Sequence, residues 1–222
     1  MSVAAPLERW TAPADFARVV GATTGRLAEI EDFRLMLSAA NAEFNLVGAS
    51  TLADFWSRHF VDSAQLLWFD RAAVTWADLG SGAGLPGIIL AILLKGRPGA
   101  RVHLVESMAK RCRFLSAAVE RFDLPAVVHN ARAESLNLKV DVVTARACAP
   151  LDRLLGFSSG YFDRGARGLF LKGSGAQTEI SVAKAVWRFD AEVFDSLSDP
   201  SGQIVAIPHL AAKRRSAAKV RP

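Results

Sequence analysis

Cysteine is nearly missing from this chain: Cys112 and Cys148 are the two present among 222 residues. They are lone cysteines without metal-ligand spacing, so no metal site is expected. Both read as buried thiols in a reducing compartment. Long apolar runs are missing too. The longest, Leu85 to Leu94, is interrupted by Pro86 and Gly87 and falls well short of the ~20 residues that a bilayer-spanning helix needs. The opening residues, MSVAAPLERWTAP, hold no continuous apolar region and carry an early glutamate. That is not the pattern of a secretory leader, and the cytoplasm is the expected compartment. No internal repeat is visible. Acidic residues are absent from the last ten positions, KRRSAAKVRP. The five cations there, Lys213, Arg214, Arg215, Lys219 and Arg221, equal the whole formal net charge of +5, which leaves the remaining chain neutral. A basic tail of this kind fits contact with nucleic acid, with a merely solubilising end as the alternative.

What is present is concentrated between Trp76 and Leu94, WADLGSGAGLPGIILAILL. Val74 to Leu79 is a short apolar segment ending on an acid, as a buried strand can. Gly80, Gly82, Gly84 and Gly87 crowd the following turn, and Ile88 to Leu94 is a run of apolar helix formers. Pro86 suits a first helical turn, where its missing N–H would be unpaired anyway. Strand, glycine loop and buried helix open a doubly wound α/β sheet, whose ligands bind at the carboxyl ends of the strands. Two cofactors compete for the loop. Gly82 to Gly87 matches the dinucleotide pattern G-x-G-x-x-G, with Glu106 near the distance of a ribose-binding carboxylate. Counted from the strand, however, the residues are Asp78-x-Gly80-x-Gly82-x-Gly84. That order resembles the first motif of S-adenosylmethionine-dependent methyltransferases. Asp78 would then face the ammonium and sulfonium side of the cofactor, and Glu106 its ribose hydroxyls. A tight turn with no ligand is the bland alternative.

The rest of the chain extends this unit on both sides. A helix start at Thr11, Pro13 and Asp15 leads into Phe16, Val19 and Val20. Leu27, Ile30, Phe33 and Leu37 keep helical spacing within a predicted helix over 26–44. Ser50 or Thr51 is the expected cap of another helix over 52–69, in which Arg58 and Asp62, four residues apart, read as a surface pair. Residues 1–70 therefore form an N-terminal helical extension. Beyond the loop, strands and helices alternate, which calls for a mainly parallel sheet. Strands are expected at 101–106, 126–130, 140–145 and 168–171, with two more near 191–194 and 203–208. Helices are expected over 108–122, 151–157 and 177–187. Lys110, Arg111 and Arg113 stand at a helix start, where cations oppose the macrodipole; that placement hints at phosphate contacts. Arg146 ends a strand on the ligand side, and Glu134 follows another there.

Taken together, these residues resemble one family. FNLVGAS (44–50), SRHFVDS (57–63), DLGSGAGLPGI (78–88), VESMAKRCRFL (105–115), ARAES (131–135), TARACAPL (144–151) and LKG (171–173) resemble the RsmG (GidB) family of bacterial 16S ribosomal RNA guanine-N7 methyltransferases. The resemblance implies a Rossmann-like, seven-stranded methyltransferase sheet of the α/β class behind the helical extension. It also implies S-adenosyl-L-methionine as cofactor, with contacts carried over onto Gly80, Leu85, Ala133, Glu134 and Arg146. Arg58, His59 and Asp62 otherwise read as a satisfied surface cluster; they and Lys172 acquire an RNA-facing role through the resemblance alone. Position 106 is Glu where aspartate is frequent in the family, and the basic tail is longer than the family pattern needs.

The expected organisation is an extension over 1–70, a methyltransferase domain over 71–212 and a basic tail over 213–222. The expected partner is 16S ribosomal RNA or the small-subunit particle, met by a monomer. Other methyl-transfer chemistries lack their residues. There is no Asn-Pro-Pro-aromatic run to hold an exocyclic amine, Cys148 is not in a Pro-Cys setting, and no His–Asp or paired-carboxylate constellation stands out. Guanine N7 presents an in-plane lone pair and needs no deprotonation, so no general base is expected. A nicotinamide-dependent oxidoreductase and a non-catalytic ribosome-associated RNA binder are the readings to be separated from this one.

Overall fold

The computed structural model describes residues 20–213. The expected first helix and nearly all of the basic tail lie outside them. Helix α1 (Thr24–Phe44) opens where the Thr23 hydroxyl accepts from the Arg26 N–H, and it stops at Asn45, which takes a left-handed conformation. Its Ile30, Phe33 and Leu37 are fully buried, as their spacing predicts.

The helix expected over 52–69 is instead broken into pieces: α2 (Ala49–Ala53), a π-helical turn (Phe55–Phe60), α3 (Val61–Ala64) and α4 (Leu66–Phe69). The wider π turn brings residues five apart in sequence onto one face, and Phe55, His59 and Phe60 are all buried. The expected cap positions 50 and 51 fall within α2 rather than at the cap before it. Gly48 holds that place, and the Thr51 hydroxyl donates back to the Gly48 carbonyl at 2.7 Å.

The alternating half follows as β1 (Thr75–Leu79), α5 (Gly87–Leu94), β2 (Arg101–Glu106), α6 (Ala109–Arg121) and β3 (Ala126–Asn130). After a 3₁₀ turn (Ala133–Ser135) come β4 (Val142–Arg146), α7 (Leu151–Phe162), β5 (Arg167–Lys172) and α8 (Ala176–Val186). The chain ends in β6 (Trp187–Phe189), β7 (Glu192–Asp195), β8 (Gln203–Ile207) and β9 (Leu210–Ala212). Seven strands form one sheet in the order β3-β2-β1-β4-β5-β8-β7. The first five are parallel, and β8 and β7 join antiparallel. The sheet is thus the expected seven-stranded α/β sheet. The small β6–β9 ribbon had no counterpart in the sequence reading.

Two hydrophobic layers cover the sheet. One unites β1, β2, α5 and α6 with the helical extension; the other packs α7 and α8 on the opposite face. Phe33 of α1 meets Phe55, Phe114 and Phe122 at ring distances of 6.3–6.5 Å. A Phe-to-Ala truncation at such a site costs about 3–5 kcal/mol, so the extension contributes to the same core as the sheet. Helix α5 is sandwiched, and Ile88, Ile89, Leu90, Ala91 and Ile92 are all completely buried. That explains why its sequence is apolar on every side rather than on one stripe. Among the described residues no helix is long and apolar enough to cross a membrane.

Candidate functional site

In the strand order, β1 has β2 on one side and β4 on the other. Their following helices leave toward opposite faces, which opens a crevice at the carboxyl ends of the strands. A cavity of about 670 Å³ lies there. The glycine loop, the Arg146–Pro150 turn after β4 and Lys172–Gly173 after β5 form its floor. The extension closes it through Leu46–Gly48, Thr51, Arg58, His59 and Asp62, and the β7–β8 turn through Ser198, Asp199 and Gly202.

The loop leaves β1 tied to β2 by backbone bonds. Gly80 and Ser81 both donate to the Val105 carbonyl, at 2.8 and 3.0 Å. Gly80 has φ +70°, and a Cβ there would lie 2.7 Å from Cys148 Sγ. Only glycine fits that conformation and that gap. Gly82, with φ +53°, lies on the cavity wall, and a Cβ there would meet nothing closer than the Gly80 carbonyl at 3.6 Å. Its backbone is thus open to a ligand. Glu106 holds this loop from behind: Oε2 accepts from the Gly82 N–H at 3.1 Å and Oε1 from the Met108 N–H at 2.8 Å. Asp78 is completely buried beneath the loop, with Oδ2 accepting from the Gly87 N–H at 3.1 Å and Oδ1 unpartnered. Burial pushes its carboxyl up to about 7, against the opposing effects of Ser81 and the Gly87 N–H.

Across the cavity, Arg146 Nη1 donates to His59 Nδ1 at 2.8 Å and to Asp62 Oδ2 at 3.3 Å. A guanidinium only donates, so Nδ1 is the acceptor and the imidazole proton sits on Nε2. From there it is donated to the Thr51 hydroxyl at 3.0 Å. His59 is therefore neutral, with both nitrogens engaged. Burial, with the charges of Arg146 and Arg58, holds its pKa down to about 4. Lys172 donates to the Ala149 carbonyl at 2.7 Å and to Glu179 Oε2 at 2.8 Å, and the same oxygen accepts from the Leu151 N–H. Arg58 pairs with Asp199 at 3.4 Å over the cavity mouth.

Residues 26–204 match the family described as rRNA small subunit methyltransferase G, GidB. The chain is 54% identical over 201 residues to the ribosomal RNA small subunit methyltransferase G of Caulobacter vibrioides strain NA1000, an overlap covering 90% of this chain and 93% of that one. The chain belongs to this family. The protein of the same name from Parvibaculum lavamentivorans is 40% identical over 196 residues, covering 86% and 87%. Solved structures reproduce the fold. An O-methyltransferase from Bacillus cereus in complex with SAH superposes with a TM-score of 0.57 at 16% identity, covering 90% of this chain and 98% of that one. The O-methyltransferase TomG from Streptomyces achromogenes, in complex with SAM, gives 0.55 at 12% identity, covering 80% and 89%.

The structure brings some of the expected cofactor residues to the cavity wall and leaves others behind it. Gly80, Gly82, Leu85 and Arg146 line the cavity, whereas Gly84 packs against Ile88 and Leu115. Asp78 and Glu106 lie behind the loop rather than on the cavity wall, and the Arg111 guanidinium, 3.7 Å from Glu106 Oε2, stands in front. Ala133 and Glu134 sit on the 3₁₀ turn after β3 and are not among the residues lining the cavity. The residues nevertheless fit S-adenosylmethionine. An open backbone at Gly82 and the Arg146 guanidinium on the opposite wall suit a ligand that carries a carboxylate, and the orphaned Asp78 oxygen lies beneath the loop that would cradle it.

Several expectations are corrected. Arg58 and Asp62 do not pair with each other: the π turn separates them, sending Arg58 to Asp199 and Asp62 to Arg146. His59 is not on a surface cluster but is 4% exposed, inside the cavity wall. Cys148 is an exposed thiol at the cavity, whereas Cys112 is buried as expected. The Lys172 side chain is 8% exposed and spans to Glu179 instead of facing outward. Lys110 and Arg113 are exposed on the first turns of α6. The sequence reading missed Thr51, Ser198 and Asp199. Asp199-Pro200-Ser201-Gly202 reads locally as a turn, but nothing local places that turn over the loop after β1.

Proposed function

We propose that this chain transfers the methyl group of S-adenosylmethionine to N7 of a guanine in 16S ribosomal RNA. The observation that carries the reading is an open glycine loop at the switch point of a methyltransferase sheet, in a chain belonging to the rRNA small subunit methyltransferase G family. When bound, the cofactor supplies a methyl group on an electrophilic sulfonium. The chain's part is to bind, orient and exclude water. Gly80 and Gly82 let the backbone approach, Glu106 fixes that backbone, and Arg146 presents a cation from the opposite wall.

The pairing of the polar groups on the wall favours N7 over an amine or a pyrimidine carbon. His59 already uses both nitrogens. The three carboxylates on the wall, Asp62, Glu179 and Asp199, are each ion-paired. Although the Cys148 residue is exposed at the cavity, desolvation of its thiol by the surrounding wall, with the charges of Asp78 and Glu106, pushes it up, away from the thiolate. Among the described residues the cavity wall offers no ready proton acceptor, and N7 needs none. Alignment alone is then the source of rate, and effective molarities for well-oriented reactants reach ~10⁵ M or more.

For the substrate, Arg58 and Arg111 line the cavity, Lys110 and Arg113 are exposed on the same first turns of α6 as Arg111, and the basic tail adds cations, a combination suited to a splayed, single-stranded guanine. In this reading the extension over 1–70 faces the RNA, 71–212 hold the cofactor, and the protein acts as a cytoplasmic monomer. The test is methyl transfer to small-subunit RNA from cells lacking this protein, offered as naked RNA and as particle, followed by mass spectrometry of the nucleosides. A gain of 7-methylguanosine is expected. Modification at another atom, or none on either substrate, overturns the reading. Thermal-shift titration with S-adenosylmethionine and NAD separates it from a nicotinamide-dependent oxidoreductase.

A further inference from the structure

By sequence Asp62 reads as part of a surface cluster with Arg58 and His59, yet its one carboxylate joins three separate pieces of chain. Oδ2 accepts from Arg146 Nη1 at the end of β4. Oδ1 accepts from Ser198 Oγ at 2.7 Å and Ser196 Oγ at 3.2 Å, both on the segment between β7 and β8, and from Gln65 Nε2 at 3.1 Å. Gln65 reinforces the junction: its Nε2 also donates to Ser196 Oγ at 3.0 Å, and its Oε1 accepts from the Leu197 N–H at 2.9 Å. Asp62 itself sits on the short helix after the π turn, so the break in that helix is what aims it inward.

The consequence falls on Arg146. A long guanidinium side chain has many rotamers, and it presents a fixed fork only when something holds it. Among the described residues its hydrogen bonds run through Nη1 alone, to Asp62 and to the neutral His59. Nη2 and Nε are left for the cavity that Arg146 lines. His59 supplies direction without charge, because Thr51 fixes its tautomer. Asp62 supplies the charge and ties the same group to the β7–β8 wall.

We infer that Asp62 is a positioning residue, which orients Arg146 toward an anionic group of the ligand and couples that arginine to the β7–β8 wall. Under the proposed function, on which this rests, the anionic group is the carboxylate of S-adenosylmethionine. The test is calorimetric titration of the full-length protein with S-adenosylmethionine across a double-mutant cycle of Asp62→Asn and Arg146→Ala. Asparagine can still accept from Ser198 and Gln65 through its carbonyl, but its amide cannot accept from Arg146. Each single variant is expected to weaken binding roughly ten- to a hundredfold. The double variant is expected to bind no worse than Arg146→Ala, because a residue acting through another loses its effect with that partner. Wild-type affinity in Asp62→Asn, or losses that multiply in the double variant, overturn the inference. If Asp62→Asn does not fold, Asp62→Glu, which displaces the charge by one methylene, runs the same cycle under the same criteria. A wild-type chain that binds no S-adenosylmethionine would fail the functional reading first, before any variant is compared.

Discussion

Glu106 offers the sharpest single perturbation, because its carboxylate holds two backbone N–H groups and the loop depends on one of them. Replacing it with alanine removes acceptors for the Gly82 and Met108 N–H groups, at 3.1 and 2.8 Å. An orphaned buried donor costs about 1–3 kcal/mol. Met108 is exposed, so water can restore its bond, and the net loss is expected near one such donor. The Arg111 pair adds little, since that side chain is 38% exposed and screened by solvent. At about 2–4 °C per kcal/mol for a chain of this size, Glu106→Ala should unfold roughly 2–12 °C below wild type. Freed from its anchor, Gly82 should also bind the cofactor less well, by roughly ten- to a hundredfold. Glu106→Gln separates the parts: its amide oxygen can keep one of the two N–H groups while its NH₂ faces the other donor, so it should fall between alanine and wild type. Thermal unfolding without ligand and calorimetry with S-adenosylmethionine measure the two effects independently. An unfolding temperature within about 1 °C of wild type, together with affinity within a factor of about two, would refute the argument.

Three further outcomes are expected. Gly80→Ala forces a Cβ to 2.7 Å from Cys148 Sγ at φ +70°, so it should cost about 1–2 kcal/mol; Cys148→Ala should recover part of that loss, and denaturant titration showing no recovery would mean the thiol is not the obstacle. His59, held at about 4 in the fold by burial and two arginines, stays neutral while the unfolded chain protonates below about 6.5. Its contribution to stability is therefore present above about pH 6.5 and lost as pH falls toward 4, at up to about 1.4 kcal/mol per pH unit. Subtracting the unfolding free energy of His59→Gln from that of wild type at each pH isolates this slope from the opposing one of Asp78, and a flat difference would remove the assignment. Truncation after Lys213, whose N–H still pairs with the Val186 carbonyl, deletes Arg214, Arg215, Lys219 and Arg221. If these touch phosphates, the log–log salt slope of RNA binding should flatten by roughly 0.7–0.9 per lost contact while cofactor affinity stays unchanged; identical slopes would make the tail a solubilising end.

Local pattern by itself determined the sheet. Val102, Leu104 and Val105 carry the apolar character of a strand, Phe114 and Leu115 that of a helix face, and Gly80 and Gly82 force a loop between β1 and α5 that few other residues permit. Those signals are periodic or conformational, so they act over a few residues and are legible in order along the chain. Strand order and the family motifs both pointed to Arg146, which does stand in the cavity. Tertiary structure alone decided who meets whom. Arg58 and Asp62 look like partners at helical spacing, but the widened turn sends them to Asp199 and Arg146, 141 and 84 residues away. His59 looks like a surface histidine and Lys172 an exposed cation, yet packing makes one a neutral acceptor and the other a strut to Glu179. Glu106 reads as a ligand group and serves first as the anchor of Gly82. The physical reason is common to all of them. A polar side chain's role is set by whichever partners surround it once water is excluded, and those partners arrive from strands and turns far apart in sequence.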